Sequence, residues 1–254
     1  MKRIKSGIKG LDPLVDGGFL EGHSILVCGA PGTGKTIFGL QYLYKGVTEE
    51  NENGLFVSVE DHPEKLKFYA SEFGWDLAKM QKNKKIEFLK IPVDQKGYML
   101  FDSINEKAKE MGAKRIVIDS LSAISINAKM FNLPLRDQPD PTGMIQGKVL
   151  HTAGYTPFED VSQFTYLFIN RVSELGTTTL FLTDTPSHSE SLTKDGVSEY
   201  ACDGLILLQL HDTSKNVNRT IAIKKMRGTN IVPGMNSLKF TNKGLEVGEF
   251  KAFY

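Results

Sequence analysis

Short apolar runs alternate with longer amphipathic stretches along most of this chain. The apolar runs are 24–28, 55–59, 86–91, 115–118 and 179–183, each of a length suited to a buried strand. Between them, 35–45, 63–73, 99–111 and 158–175 predict helices, and Pro63 suits a first helical turn. Such alternation predicts an α/β fold: a mainly parallel twisted sheet flanked by helices. The texture changes from about residue 204. Runs at 205–210, 220–225, 237–240 and 245–247 are joined by short polar turns, including Thr241-Asn242-Lys243-Gly244. They predict C-terminal antiparallel strands that finish the sheet. One segment breaks the rhythm. Residues 128–157 hold Pro134, Pro139, Pro141 and Pro157 with Gly143, Gly147 and Gly154. A loop this long is uncommon inside a compact domain and is usually functional or disordered. The expectation is one domain over 1–254 with a loop insertion at about 128–157.

The first strand leads into Gly29-Ala30-Pro31-Gly32-Thr33-Gly34-Lys35-Thr36, a full match to the G-x-x-x-x-G-K-[ST] phosphate loop. Gly29, Gly32 and Gly34 permit backbone conformations that a Cβ opposes, so successive N–H groups can converge on one anion. Lys35 is placed to reach the β- and γ-phosphates, and Thr36 to offer a hydroxyl to Mg²⁺. The following helix, read as stopping at Gly46, adds its positive N-terminal end.

A phosphate loop binds nucleotide, whereas hydrolysis also needs a metal and a positioned water. Arg115-Ile116-Val117-Ile118-Asp119 is an apolar strand ending in a carboxylate, which places Asp119 near Thr36 as a second metal residue. Ser120, not Glu, follows it. The water-orienting carboxylate is therefore sought on the second strand, where Glu60 ends Leu55-Phe56-Val57-Ser58-Val59-Glu60. Placed beside the first strand in a parallel sheet, Glu60 ends at the same carboxyl edge as the loop. The alternative is that Glu60 caps the helix starting at Pro63. Near the C-terminus, Lys225 and Arg227 share one face of a strand by alternation. They either grip one anion together or form a solvated, aggregation-resistant edge.

Composition narrows the setting. The net charge of +1 gives no field that recruits nucleic acid or anionic lipid. No apolar run approaches a membrane span, and the basic start Met1-Lys2-Arg3 leads into no secretory h-region. Cys28 and Cys202 lie in apolar stretches without a C-x-x-C and read as buried thiols. A cytoplasmic location is expected.

Taken together, several motifs resemble the RecA superfamily, in particular its KaiC-like and archaeal RadA-paralog ATPases. They are Ser6-Gly7-Ile8-Lys9-Gly10-Leu11-Asp12 with Gly17-Gly18, the loop at 29–36, Glu60-Asp61, Phe73-Gly74-Trp75-Asp76-Leu77, Ile118-Asp119-Ser120 and Lys225-Met226-Arg227-Gly228-Thr229. The likeness covers nearly the whole chain. It implies a RecA-like P-loop NTPase core that binds ATP and Mg²⁺ and hydrolyses ATP. In that family a Lys-x-Arg-Gly-Thr element reaches the γ-phosphate of ATP bound by the neighbouring subunit. The resemblance therefore implies a homo-oligomeric ring, usually a hexamer, with ATP between subunits and Lys225 and Arg227 acting in trans. It also supports Glu60 as the catalytic carboxylate. The chain departs from the family at Asp61, where a second Glu is common, and in the 128–157 insertion. It has the length of one domain where KaiC has two in tandem, and it offers no identifiable autophosphorylated Ser/Thr pair.

The expected role is regulatory or signalling, with a protein partner available through 128–157. The alternatives are a DNA-binding RadA paralog in recombination or repair, and a nucleotide-gated scaffold or autokinase with very slow turnover. DNA contact by the loops after the strands ending at Asp119 and Thr183 requires basic residues. Residues 128–160 instead carry three basic side chains against four acidic ones, and 185–199 carry Lys194 against Glu190, Asp195 and Glu199. Loop charge therefore does not favour nucleic acid.

Overall fold

The apolar runs at 24–28, 55–59, 115–118 and 179–183 fold as buried strands, and the run at 86–91 folds as a partly buried one. The computed structural model describes residues 1–92, 97–126, 157–186, 191–213 and 216–250. In chain order the elements are β1 (Arg3–Ile4), β2 (Phe19–Leu20), β3 (Ser24–Gly29), α1 (Lys35–Glu50), β4 (Gly54–Ser58), α2 (Pro63–Ser71), α3 (Leu77–Lys82) and β5 (Ile86–Lys90). Then follow α4 (Gly97–Met111), β6 (Arg115–Asp119), α5 (Leu121–Ile126), α6 (Pro157–Ser173), β7 (Thr178–Asp184) and α7 (Ser198–Ala201). The chain closes with β8 (Gly204–Thr213), β9 (Asn216–Met226), β10 (Met235–Thr241) and β11 (Gly244–Gly248). The insertion expected at about 128–157, and a partner site there, fall outside the described residues up to Pro157, where α6 begins.

A nine-stranded sheet runs in the order β11-β10-β9-β8-β3-β7-β6-β4-β5. From β8 to β5 all neighbours are parallel, and β8 to β11 pair antiparallel. This is the predicted mainly parallel sheet with an antiparallel C-terminal end. Alternation along β3 divides the interior into two layers. Ile25 and Val27 join Phe38, Leu40, Phe56, Val117 and Leu182 on the α1 side. Leu26 and Cys28 join Ile118, Ile124, Phe168 and Phe181 on the other. Each such side chain, fully removed from water, contributes roughly 1.5–3 kcal/mol. Cys28 and Cys202 are both buried and unbridged, as read from sequence. Burial pushes the Cys28 thiol up to about 12.

Two expectations are corrected by packing. The first helix does not stop at Gly46: α1 runs to Glu50 and ends at Asn51, which adopts φ 53°. Gly46 lies inside the helix because a Cβ there would meet Arg115 Nε at 2.4 Å. Arg115, wholly buried, passes through that gap, bonds the Tyr42 carbonyl at 2.9 Å and pairs with Glu52 at 2.8 Å. The second correction concerns β4. It does not lie beside β3, because β7 and β6 stand between them. Sequence order is a poor guide to neighbour order once helical crossovers intervene. Since all four strands run parallel, β4 still ends at the same sheet edge as β3.

Candidate functional site

Residues 30–34 turn sharply between the end of β3 and the start of α1. Gly32 and Gly34 take φ 82° and 105°, the left-handed region that side chains resist. Gly34 is further constrained, because a Cβ there would lie 2.7 Å from the Phe240 ring. Gly29 has no such φ; it ends β3, and a Cβ would meet Thr33 Oγ1 at 2.6 Å. Thr33 Oγ1 itself donates to the Ala30 carbonyl at 2.8 Å, bracing the turn across Pro31.

Lys35 and Thr36 open α1 and point toward the sheet edge. Lys35 Nζ donates to the carbonyls of Gly29 at 2.7 Å and Ala30 at 3.2 Å. Its third neighbour is Asp184 Oδ1 at 2.9 Å. Thr36 Oγ1 donates to Asp119 Oδ2 at 2.8 Å. The pairing of Thr36 with Asp119 follows the sequence expectation. Asp184 was not anticipated: it is one residue past the predicted strand, and only the insertion of β7 between β3 and β6 makes it central. Register puts Asp184 opposite Gly29, and Leu182 opposite Asp119.

Asp119 is buried, and its carboxyl is raised from 3.8 to about 6. Burial is the main cause; the Thr36 hydrogen bond opposes it, Glu60 adds to it, Lys35 opposes it and Asp61 adds to it. These influences gather Glu60, Asp61, Lys35 and Thr36 around one carboxylate. Oxygen donors of this kind suit a hard cation such as Mg²⁺, which takes one or two carboxylates and leaves the rest to phosphate and water. Among the described residues no group of three or more His, Cys, Asp or Glu forms a closed cage.

Glu60 lies two residues past β4, exposed, at the carboxyl edge. The turn carrying it is held on three sides. Val59 N donates to the Asp119 carbonyl at 3.0 Å, Lys90 Nζ donates to the Val59 carbonyl, and Ser58 Oγ donates to the Asp61 carbonyl at 2.7 Å. The N-cap of α2 is His62, not Glu60, so the capping alternative finds no support in the helix geometry. Asp61 instead pairs with Lys65 at 2.6 Å.

Lys225 and Arg227 do converge. Both donate to the Tyr200 carbonyl, at 3.3 Å and 3.0 Å, and Lys225 also reaches the carbonyls of Glu199 and Cys202. Arg227 pairs with Asp203 at 3.2 Å. Burial holds the Lys225 ammonium below its ordinary value, and the Arg227 charge adds to this. Their location is decisive. Met226 pairs with Gly204, and Gly204 with Ile25, four residues before Gly29. About 13 Å of strand therefore separates them from their own phosphate loop. They lie at the opposite sheet edge.

Two further residues beside the loop escaped the sequence reading. Arg219 Nε donates to the Gly32 carbonyl at 3.2 Å, and its guanidinium lies 4.7 Å from the centroid of Phe240. Phe240 is 39% exposed, an aromatic face beside Gly34. A large aromatic on the exposed side of a strand was the available signal.

The sheet order and the Gly29–Thr36 loop define a P-loop nucleotide-binding protein of RecA-like architecture. A family model described as "ATPase: KaiC" matches residues 4–137 and 159–252, and the chain belongs to that family. It is 30% identical to UPF0273 protein MJ1359 of Methanocaldococcus jannaschii, over 97% of this chain and 96% of that one. It is 27% identical to the circadian clock oscillator protein KaiC of Synechococcus elongatus, over 96% of this chain and 44% of that protein. The crystal structure of a KaiC-like protein, PH0186 from Pyrococcus horikoshii, superposes with TM-score 0.78 at 30% identity, covering 97% of this chain and 98% of that one. No helix among the described residues is long and apolar enough to cross a membrane.

Proposed function

We propose that this chain is an Mg²⁺-dependent ATPase acting as a ring, usually hexameric in architecture, with each ATP held between two subunits and serving a regulatory or signalling role. The observation that carries this reading is the meeting at one sheet edge of the Gly29–Thr36 loop, the Thr36–Asp119 pair and Glu60. The loop N–H groups and Lys35 take the phosphates. Thr36 and Asp119 would hold Mg²⁺, which would supply positive charge against the developing charge of the phosphates. Glu60 accepts a proton from, and orients, the attacking water. Phe240, backed by Arg219, offers a stacking face for the nucleobase. Lys225 and Arg227, too far from their own loop, serve the site of the next subunit and stabilise charge on the transferring phosphoryl group.

Glu60→Gln tests the assignment. ATP binding is expected to persist while hydrolysis falls by about 10²–10⁴-fold, the usual contribution of a positioned base. Undiminished turnover would remove Glu60 from the mechanism.

A further inference from the structure

Lys35, Asp184 and Lys194 form a chain of charges. Asp184 Oδ1 lies 2.9 Å from Lys35 Nζ, and Asp184 Oδ2 lies 3.9 Å from Lys194 Nζ. An ammonium has three N–H donors. Lys35 has three oxygen neighbours: the Gly29 and Ala30 carbonyls and the Asp184 carboxylate. A phosphate oxygen can therefore engage Lys35 only by displacing one of them. The two carbonyls belong to the loop backbone, whereas Asp184 is a partly exposed side chain with an alternative partner. Asp184 is the group that yields.

Once displaced, its carboxylate faces a polyphosphate. Asp184 cannot withdraw far, because its N–H donates to Ser122 Oγ at 2.8 Å and Gly29 stands opposite in the sheet. Two like charges at such range are costly unless a cation stands between them. Lys194 is in position to be that cation. It is exposed, and the backbone just after it is anchored: Asp195 accepts from the N–H groups of Val197 and Ser198 at 2.9 Å and 2.8 Å.

We infer that Lys194 is a positioning residue that takes over Asp184 as Lys35 turns to the phosphates, so that this exchange of partners sets the affinity for the triphosphate. The inference rests on ATP occupying the Gly29–Thr36 loop. It gives a use to a lysine whose segment is otherwise acidic and unsuited to nucleic acid.

A double-mutant cycle on the full-length protein tests it, using the Mg²⁺ complex of a non-hydrolysable ATP analogue and reading Kd directly. Lys194→Ala is expected to weaken binding about three- to fivefold, and Lys194→Arg to retain it. In an Asp184→Asn background, where no charge needs neutralising, Lys194→Ala is expected to change Kd by less than about twofold. An equal loss in both backgrounds, or no loss in either, overturns the inference. Failure of the unmutated chain to bind the analogue overturns the ATP reading itself and the inference with it.

Discussion

The hydroxyl of Thr36 donates to Asp119 Oδ2 across 2.8 Å, joining residues 83 positions apart in the chain. The bond ties the first turn of α1 to the end of β6, two strands away from β3. It also leaves a carboxylate held out of water beside Glu60 and Asp61, and that has a thermodynamic consequence.

Because Asp119 is raised from 3.8 to about 6, the folded chain binds its proton more tightly than the unfolded chain does. Between about pH 4 and 6 the native state thus carries more protons, and unfolding free energy falls as pH rises through that window. The drop is on the order of 3 kcal/mol, complete above about pH 6. Urea unfolding with a chelator present, repeated across pH 4–8, is expected to show it. Asp119→Asn is expected to flatten this component.

The opposite-edge location of Lys225 and Arg227 makes a complementation experiment decisive. Glu60→Gln and Arg227→Ala chains are each expected to be inactive alone. Mixed, they form interfaces in which an Arg227→Ala chain supplies Glu60 and its neighbour supplies Arg227. Random head-to-tail assembly makes on the order of one interface in four competent. Recovery of ATPase activity near that fraction supports action in trans, and no recovery refutes it.

Arg115 offers a stability test distant from the chemistry. Arg115→Ala removes the buried partner of Glu52, leaves that nearly buried carboxylate to the exposed Lys2 at 3.0 Å, and opens a void beneath Gly46. A loss of roughly 3–5 kcal/mol is expected, read as a lower urea midpoint, with little change in nucleotide contacts.

Phe240 separates base recognition from phosphate recognition. Phe240→Ala is expected to weaken ATP binding by roughly 1–3 kcal/mol, the value of one base–aromatic stack. Inorganic triphosphate, which has no base, should bind the variant and the parent equally. Equal weakening of both ligands would mean that the substitution disturbs Gly34 rather than a stacking face.

Features that depend on local backbone chemistry were legible from residue order. The phosphate loop is one, since φ of 82° and 105° at Gly32 and Gly34 strongly favours glycine at both positions. The strand–helix alternation and the two-layer interior are others, because a period of two or of 3.6 residues sets which side chains leave water. Helix ends were less legible. Gly46 has the composition of a stop, yet it continues a helix because Arg115, brought in from β6, needs its missing Cβ.

Residue order by itself determined the P-loop class, the α/β alternation, Asp119 as partner to Thr36 and the existence of a Lys225/Arg227 pair. Tertiary structure decided the rest, because strand order is set by crossover packing that no local pattern encodes. By placing β7 between β3 and β6 it brought Asp184 onto Lys35, and through it Lys194. It put Arg219 and Phe240 beside Gly34. By running β9 antiparallel to β8 it carried Lys225 and Arg227 to the sheet edge away from their own loop.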